Sequence, residues 1–154
     1  MPWSIPITYN NARTPLRMSV PQEAEALVTE NPGAYAIVHP ENILFEEKLL
    51  YFGMAGPRPR ALIHGLRGRL ATNCPHHASQ NMAQNVLLGN LPQNLVLYYY
   101  ETVTRQEALI LESALINLYI QEFGVLPQEN TQQPHIDFGE EYIAIYDEIR
   151  GLLG

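Results

Sequence analysis

Gly33-Ala34-Tyr35-Ala36-Ile37-Val38 and Leu49-Leu50-Tyr51-Phe52-Gly53 are two short runs of apolar, β-branched and aromatic residues separated by a polar stretch. Such runs predict strands over 34–38 and 49–53. An antiparallel pairing is the cheapest way to connect them. The segment 40–47 is long for a hairpin loop, and Ile43, Leu44 and Phe45 can fold back onto a core. Gly33 and Gly53 flank the pair and let backbone or substrate approach closely. In this arrangement Tyr35 and Tyr51 can share one face near the open end of the hairpin.

Outward from the hairpin, residues 1–18 hold three prolines and the only Trp, and read as an extended N-terminal arm. Ser19 can cap a short helix over Pro21–Val28, with Pro21 in its first turn. Asn31-Pro32-Gly33 ends it. Gly56-Pro57-Arg58-Pro59-Arg60 is a stiff basic loop. A helix over 61–71 follows from the stripe Leu62, Leu66, Leu70, and another is expected over 80–88. Leu95–Tyr100 is the best strand candidate in the chain. The 105–123 helix has a capping box in Thr104 and Glu107, and Gly124 with Pro127 ends it. A last, acidic helix over 139–153 would bury Tyr142, Ile145, Ile149 and Leu152 or Leu153. These elements predict one α/β domain over 1–154, with a small, mainly antiparallel three-stranded sheet flanked by helices.

The chain's 154 residues, 46% hydrophobic and 16% charged, suit a single ordered globular domain. No apolar run is long enough to span a bilayer, and Met1-Pro2-Trp3-Ser4 lacks the start of a secretion signal, so a cytoplasmic setting and no membrane partner are expected. Cys74 is the only cysteine, which excludes an intrachain disulfide. Cys74-Pro75-His76-His77 offers three ligands at most, two of them adjacent, a poor zinc site.

Net charge is −7, yet no Asp or Glu occurs from Lys48 through Tyr100, a stretch that carries five of the nine Lys and Arg residues. A local positive field is what attracts a phosphate backbone. Arg58, Arg60, His64 and Arg67 are therefore candidate nucleic-acid contacts. DNA is the expected partner, with RNA open as well because nothing in the sequence reads a 2′-hydroxyl. A homodimer is compatible with the sequence, although no residue demands one.

Glu112 stands on the apolar side of its helix among Ala108, Leu109, Leu115 and Ile116. A carboxylate there needs a cation, a proton or a partner. A divalent metal with one protein carboxylate would suit it, and so would a salt bridge at the edge of the stripe. Arg69 and Arg67, in Leu66-Arg67-Gly68-Arg69-Leu70, compete as a phosphate clamp, since two residues apart on a helix they cannot face the same way. Asn130 follows a Pro-containing loop and reads equally as a turn residue. Taken singly, Tyr35 and Tyr51 read as core tyrosines.

In order, Gly33-Ala34-Tyr35, Tyr51-Phe52-Gly53, Arg69, Glu112 and Asn130 resemble the GIY-YIG nuclease family, over roughly residues 33–130. The resemblance implies metal-dependent hydrolysis of DNA phosphodiester bonds, with restriction-like or recombination and antagonism nucleases as the standalone types. It implies Glu112 as the sole protein ligand of Mg²⁺ or Mn²⁺ and Tyr35 as general base or nucleophile-orienting group. Tyr51 would position the phosphate or a metal-bound water, with its phenol favoured as phenolate by metal and arginine. Arg69 would clamp the phosphate, and Asn130 would help arrange the metal site. Many relatives carry a histidine or tyrosine one turn after the arginine; here that position is Asn73, and His64, His76 or His77 could substitute. The alternatives are a nucleic-acid-binding module of the same fold without activity, and an interaction domain using the acidic C-terminal helix.

Overall fold

The computed structural model describes residues 3–13, 16–57, 63–71 and 77–154, with residues 11–13 described by their backbone. Five strands, β1 (Ile7–Arg13), β2 (Arg17–Ser19), β3 (Gly33–Val38), β4 (Leu49–Ala55) and β5 (Asn94–Glu101), form one sheet in the order β2-β1-β5-β3-β4. Every pairing is antiparallel. The helices are α1 (Phe45–Lys48), α2 (Gly65–Leu70), α3 (His77–Leu87), α4 (Arg105–Phe123) and α5 (Glu140–Leu153).

The sheet thus exceeds the expected three strands. The chain before residue 19, read as an arm, supplies the other two. Ile7 and Tyr9 are buried and Thr8 is exposed, the alternation of a half-buried strand. Its register against β5 runs from Ile7–Leu97 to Asn10–Asn94. Pro6, which suggested irregular chain, lies outside β1 and costs the ladder no donor. Ser19 belongs to β2, and the expected helix is a 3-10 helix over Gln22–Leu27 with Pro21 at its N-cap and no side-chain cap.

The antiparallel β3–β4 hairpin forms as expected, and β3 is buried along its whole length because β4 and β5 flank it and helices cover both faces. One face carries Tyr9, Tyr35, Ile37, Leu95 and Leu97, joined by Leu66, Leu70, Met82 and Ala83 of α2 and α3. The other carries Ala34, Ala36, Val38 and Phe52 beneath Leu111, Leu115, Tyr119 and Ile149 of α4 and α5. The small Ala34 and Ala36 let a long helix lie close on the sheet.

In the hairpin connection Phe45 is buried, in the short α1, while Ile43 and Leu44 remain exposed. The α4 capping box is present on both sides, and Gly124 closes the helix in the left-handed conformation. On α5, Tyr146, Ile149 and Leu153 are the buried residues; Tyr142 and Ile145 are half-buried and Leu152 is exposed. Trp3 ties the N-terminal segment to α5, its indole N–H donating to the Ile145 carbonyl at 3.0 Å.

A candidate catalytic cleft

Register places Tyr35 directly opposite Gly53, and Ile37 opposite Tyr51. Tyr35 and Tyr51 are therefore diagonal neighbours on one face, with ring centroids 5.9 Å apart. Gly53 is what lets them converge: a Cβ there would come within 2.5 Å of Tyr35 Oη and 2.6 Å of the Tyr51 ring. The Tyr35 hydroxyl hydrogen-bonds Tyr51. Tyr35 is 1% exposed, whereas Tyr51 reaches the surface.

Burial raises both phenols' pKa. In Tyr35 the second cause is the neighbouring Tyr51 and in Tyr51 it is Glu112, while Arg69 opposes the rise in each. Without a metal, desolvation outweighs the one cation, Arg69, at both phenols.

Arg69 is set by α2, and α2 is anchored at both ends. Its first donors, Leu66 N and Arg67 N, bond the carbonyls of Asn31 (3.0 Å) and Thr29 (2.7 Å), immediately before β3. At the other end Val20 N donates to the Leu70 carbonyl at 3.1 Å. Gly65 opens the helix at φ 65°, with Glu30 and Asn31 carbonyls where a side chain would sit. The helix delivers its two arginines to opposite tasks. Arg67 donates through Nε to the Val28 carbonyl at 2.7 Å and lies 3.7 Å from Glu30. Arg69 points inward, where its charge acts on Tyr9, Tyr35, Tyr51 and Glu112.

Glu112, half-buried on α4, reaches the same place past the edge strand β4. Burial pushes its carboxyl from 4.5 up to about 7, against the pull of Arg69. Glu112 and Tyr51 share a cleft of about 190 Å³ whose other walls include Ile116, Asn130, Thr131 and Gln132. Asn130 fixes that wall. Its Oδ1 accepts from Phe52 N at 3.0 Å and its Nδ2 donates to the Phe52 carbonyl at 2.9 Å. With Glu129 N on the Leu50 carbonyl, this segment covers the free edge of β4. Asn130 thus lines the cleft while its amide is committed to the backbone.

Among the described residues no group of three His, Cys, Asp or Glu converges on a common point. Among the described residues lining the cleft, Glu112 is the one carboxylate. A desolvated carboxyl beside open, polar space suits a hard divalent cation that takes its other ligands from water and phosphate, so Mg²⁺ or Mn²⁺ fits these residues.

His64 is exposed at the N-cap of α2, and His77 is exposed at the start of α3. Arg58, Arg60, Leu62, Asn73, Cys74 and His76 lie outside the described residues. Lys48 is used internally, donating to the Leu153 carbonyl at 2.9 Å. Among the described cations of the basic stretch, Arg69 acts on Tyr51 and Glu112 of the cleft, while Lys48 and Arg67 bond backbone carbonyls.

Two residues near the site escaped sequence reasoning. Tyr9 of β1 is fully buried on the Tyr35 face, and Arg17 of β2, 2% exposed, acts electrostatically on it. The signal for Tyr9 was the alternation Ile7-Thr8-Tyr9-Asn10.

The fold is a mixed α/β domain with a five-stranded antiparallel sheet and a cleft at its β4 edge. Comparisons with protein-family models, with curated proteins and with solved structures found no match. Among the described residues, no helix is long and apolar enough to cross a membrane.

Proposed function

We propose that this chain is a divalent-metal-dependent endonuclease that hydrolyses DNA phosphodiester bonds. The observation that carries the reading is a small cleft lined by Tyr51 and Glu112, with Tyr35 packed behind Tyr51 and the Arg69 charge acting on all three. These are the residue types that in-line attack on a phosphodiester requires.

Arg69 presents a guanidinium to a non-bridging phosphate oxygen and offsets charge that grows in the pentacovalent transition state. Tyr51, the accessible phenol, hydrogen-bonds the phosphate or the attacking water, and Tyr35 behind it holds that phenol in place. Glu112, once ionised, would hold Mg²⁺ or Mn²⁺. The metal would supply Lewis-acid stabilisation of the phosphate and of the departing 3′ oxygen. As the water oxygen bonds to phosphorus, the P–O3′ bond breaks; the water's proton leaves through the phenol pair or solvent, and the 3′ oxygen takes a proton from solvent and departs as the hydroxyl. Asn130 keeps β4 and the cleft wall in register.

A second reading is a nucleic-acid-binding module without activity. The raised phenol pKa values favour it, because neutral tyrosines are good hydrogen-bond donors and poor bases. The deciding experiment incubates the protein with supercoiled plasmid and Mg²⁺ or Mn²⁺, beside Glu112→Ala and an EDTA control, with single-stranded RNA in parallel. Nicked or linear plasmid that disappears in both controls is the expected result. Cleavage that survives Glu112→Ala in nuclease-free preparations would sink the proposal, and retention of intact duplex would favour the binding module.

A further inference from the structure

Residues 131–138 run alongside α4 as a strap with no regular secondary structure. None of the eight is buried, and none belongs to either core cluster. Among the described residues, every hydrogen bond from the strap to the rest of the molecule ends on one of two α4 side chains. Asn117 Nδ2 donates to the Pro134 carbonyl at 2.8 Å, and its Oδ1 accepts from Gln133 Nε2 at 2.7 Å. Buried Ser113 donates from Oγ to the Ile136 carbonyl and accepts from Ile136 N, both at 3.3 Å. Asn117 is itself oriented by a second donation, to the Ser113 carbonyl one turn back at 2.8 Å. Bonds of this kind are weak on balance, because water replaces them on opening. A segment held by them without buried apolar contacts opens locally while the core stays folded.

The strap is also a wall between two spaces. Residues 131–134 line the cleft of about 190 Å³ with Tyr51 and Glu112. Residues 135–138 line an outer groove of about 580 Å³ with Ile120 and Gln121, and Gln133 lines both spaces. Pockets that hold a small ligand run from about 300 to 1,000 Å³, so the cleft as it stands is too small to take in a nucleotide. Joined to the outer groove, it becomes one trough along α4. We propose that residues 131–136 are a gate over the cleft, latched by Asn117 and Ser113: latched, the strap confines the cleft, and released, it joins cleft and groove so that a nucleic-acid strand enters. The strand as occupant rests on the nuclease reading; the latch stands apart from it.

The test compares metal-free wild type with Asn117→Ala and Ser113→Ala. The first readout is the titration of the Glu112 carboxyl carbon in ¹³C spectra, assigned by its loss in Glu112→Gln. Burial holds that midpoint at about 7. With the latch gone water reaches the carboxyl, and the midpoint should fall to about 6. In the second readout, backbone order parameters over 131–136 should drop below about 0.6 while those of α4 stay near about 0.85. Glu122→Gln breaks the tie of α4 to Arg150 and leaves the strap alone, so it should lower Tm and move neither readout. The third readout is binding of a fluorescent DNA oligonucleotide in EDTA. Asn117→Ala should strengthen it about fivefold, because apparent affinity scales with the fraction of open protein. A Glu112 midpoint or strap order parameters unmoved by the latch variants would overturn the proposal. So would DNA binding no tighter than that of the wild type, and so would loss of folding in both variants, since a gate outside the core is not needed for the fold. If Asn117→Ala alone fails to fold, Ser113→Ala decides. Protein that shifts in the first two readouts and binds no DNA would defeat the nuclease reading and leave the latch established.

Discussion

Glu112 shows how far burial can move one carboxyl, and the sign of its effect on stability can be worked out. Its folded pKa, about 7, lies above the ordinary 4.5. Between those values the native state keeps a proton that the unfolded chain has released, so metal-free stability falls as pH rises from 4.5 to about 7 and stays lowered above it. Glu112→Gln removes this dependence. We expect it to raise the metal-free Tm by about 3 °C at pH 8 and to leave it unchanged at pH 4, as followed by circular dichroism. A Tm gain of equal size at both pH values would place the effect elsewhere. Metal competes with the same proton, so Mn²⁺ affinity should weaken about tenfold per pH unit below 7. The sequence showed Glu112 among apolar helix neighbours and hence the conflict, but not its resolution. Whether a salt bridge or a cation relieves it depends on Arg69, forty-three positions away, which acts on the carboxyl without forming an ion pair with it among the described residues.

At the scale of elements, α2 decides which arginine turns toward the tyrosines. Six residues make too short a helix to stand alone, so backbone carbonyls of residues 29 and 31 must satisfy its first donors. That docking turns Arg67 toward Val28 and Arg69 toward the tyrosines. Arg67→Met should therefore act as a structural lesion. It should cost about 2 kcal/mol in urea unfolding, through the lost charged donor to Val28, and leave the salt dependence of DNA binding unchanged. A shallower salt slope for Arg67→Met would instead restore it as a phosphate contact. The spacing of the pair along the helix showed that the two must diverge, yet it held no information on which way the helix is rotated.

For the whole molecule, β1 and β2 complete the core rather than hang from it. Ile7, Tyr9 and Met18 are buried, and β1 covers the edge that β5 would otherwise expose. Removing residues 1–19 should leave β5 with an open edge and a stripped apolar face. We expect the shortened chain to bind a hydrophobic dye and lose its cooperative thermal transition. A sharp transition near the wild-type Tm would show the three-stranded sheet to be self-sufficient. This is where sequence reasoning fell short. Two prolines bracket β1, and β1 and the three-residue edge strand β2 draw their stability from the neighbours they pair with, so their local signal is weak.

Local chemistry alone determined α4, the β3–β4 hairpin and the shared face of Tyr35 and Tyr51. A capping box, a left-handed glycine and a two-residue side-chain period all act between near neighbours in the chain. Tertiary structure alone decided the five-stranded sheet, the engagement of Arg67 with Val28, the commitment of Asn130 to Phe52 and the burial of Tyr9 on the Tyr35 face. It also decided that burial raises the pKa of both phenols in the absence of metal. Each of these depends on what distant segments exclude from water, and desolvation is a property of the packed molecule that no run of adjacent residues contains.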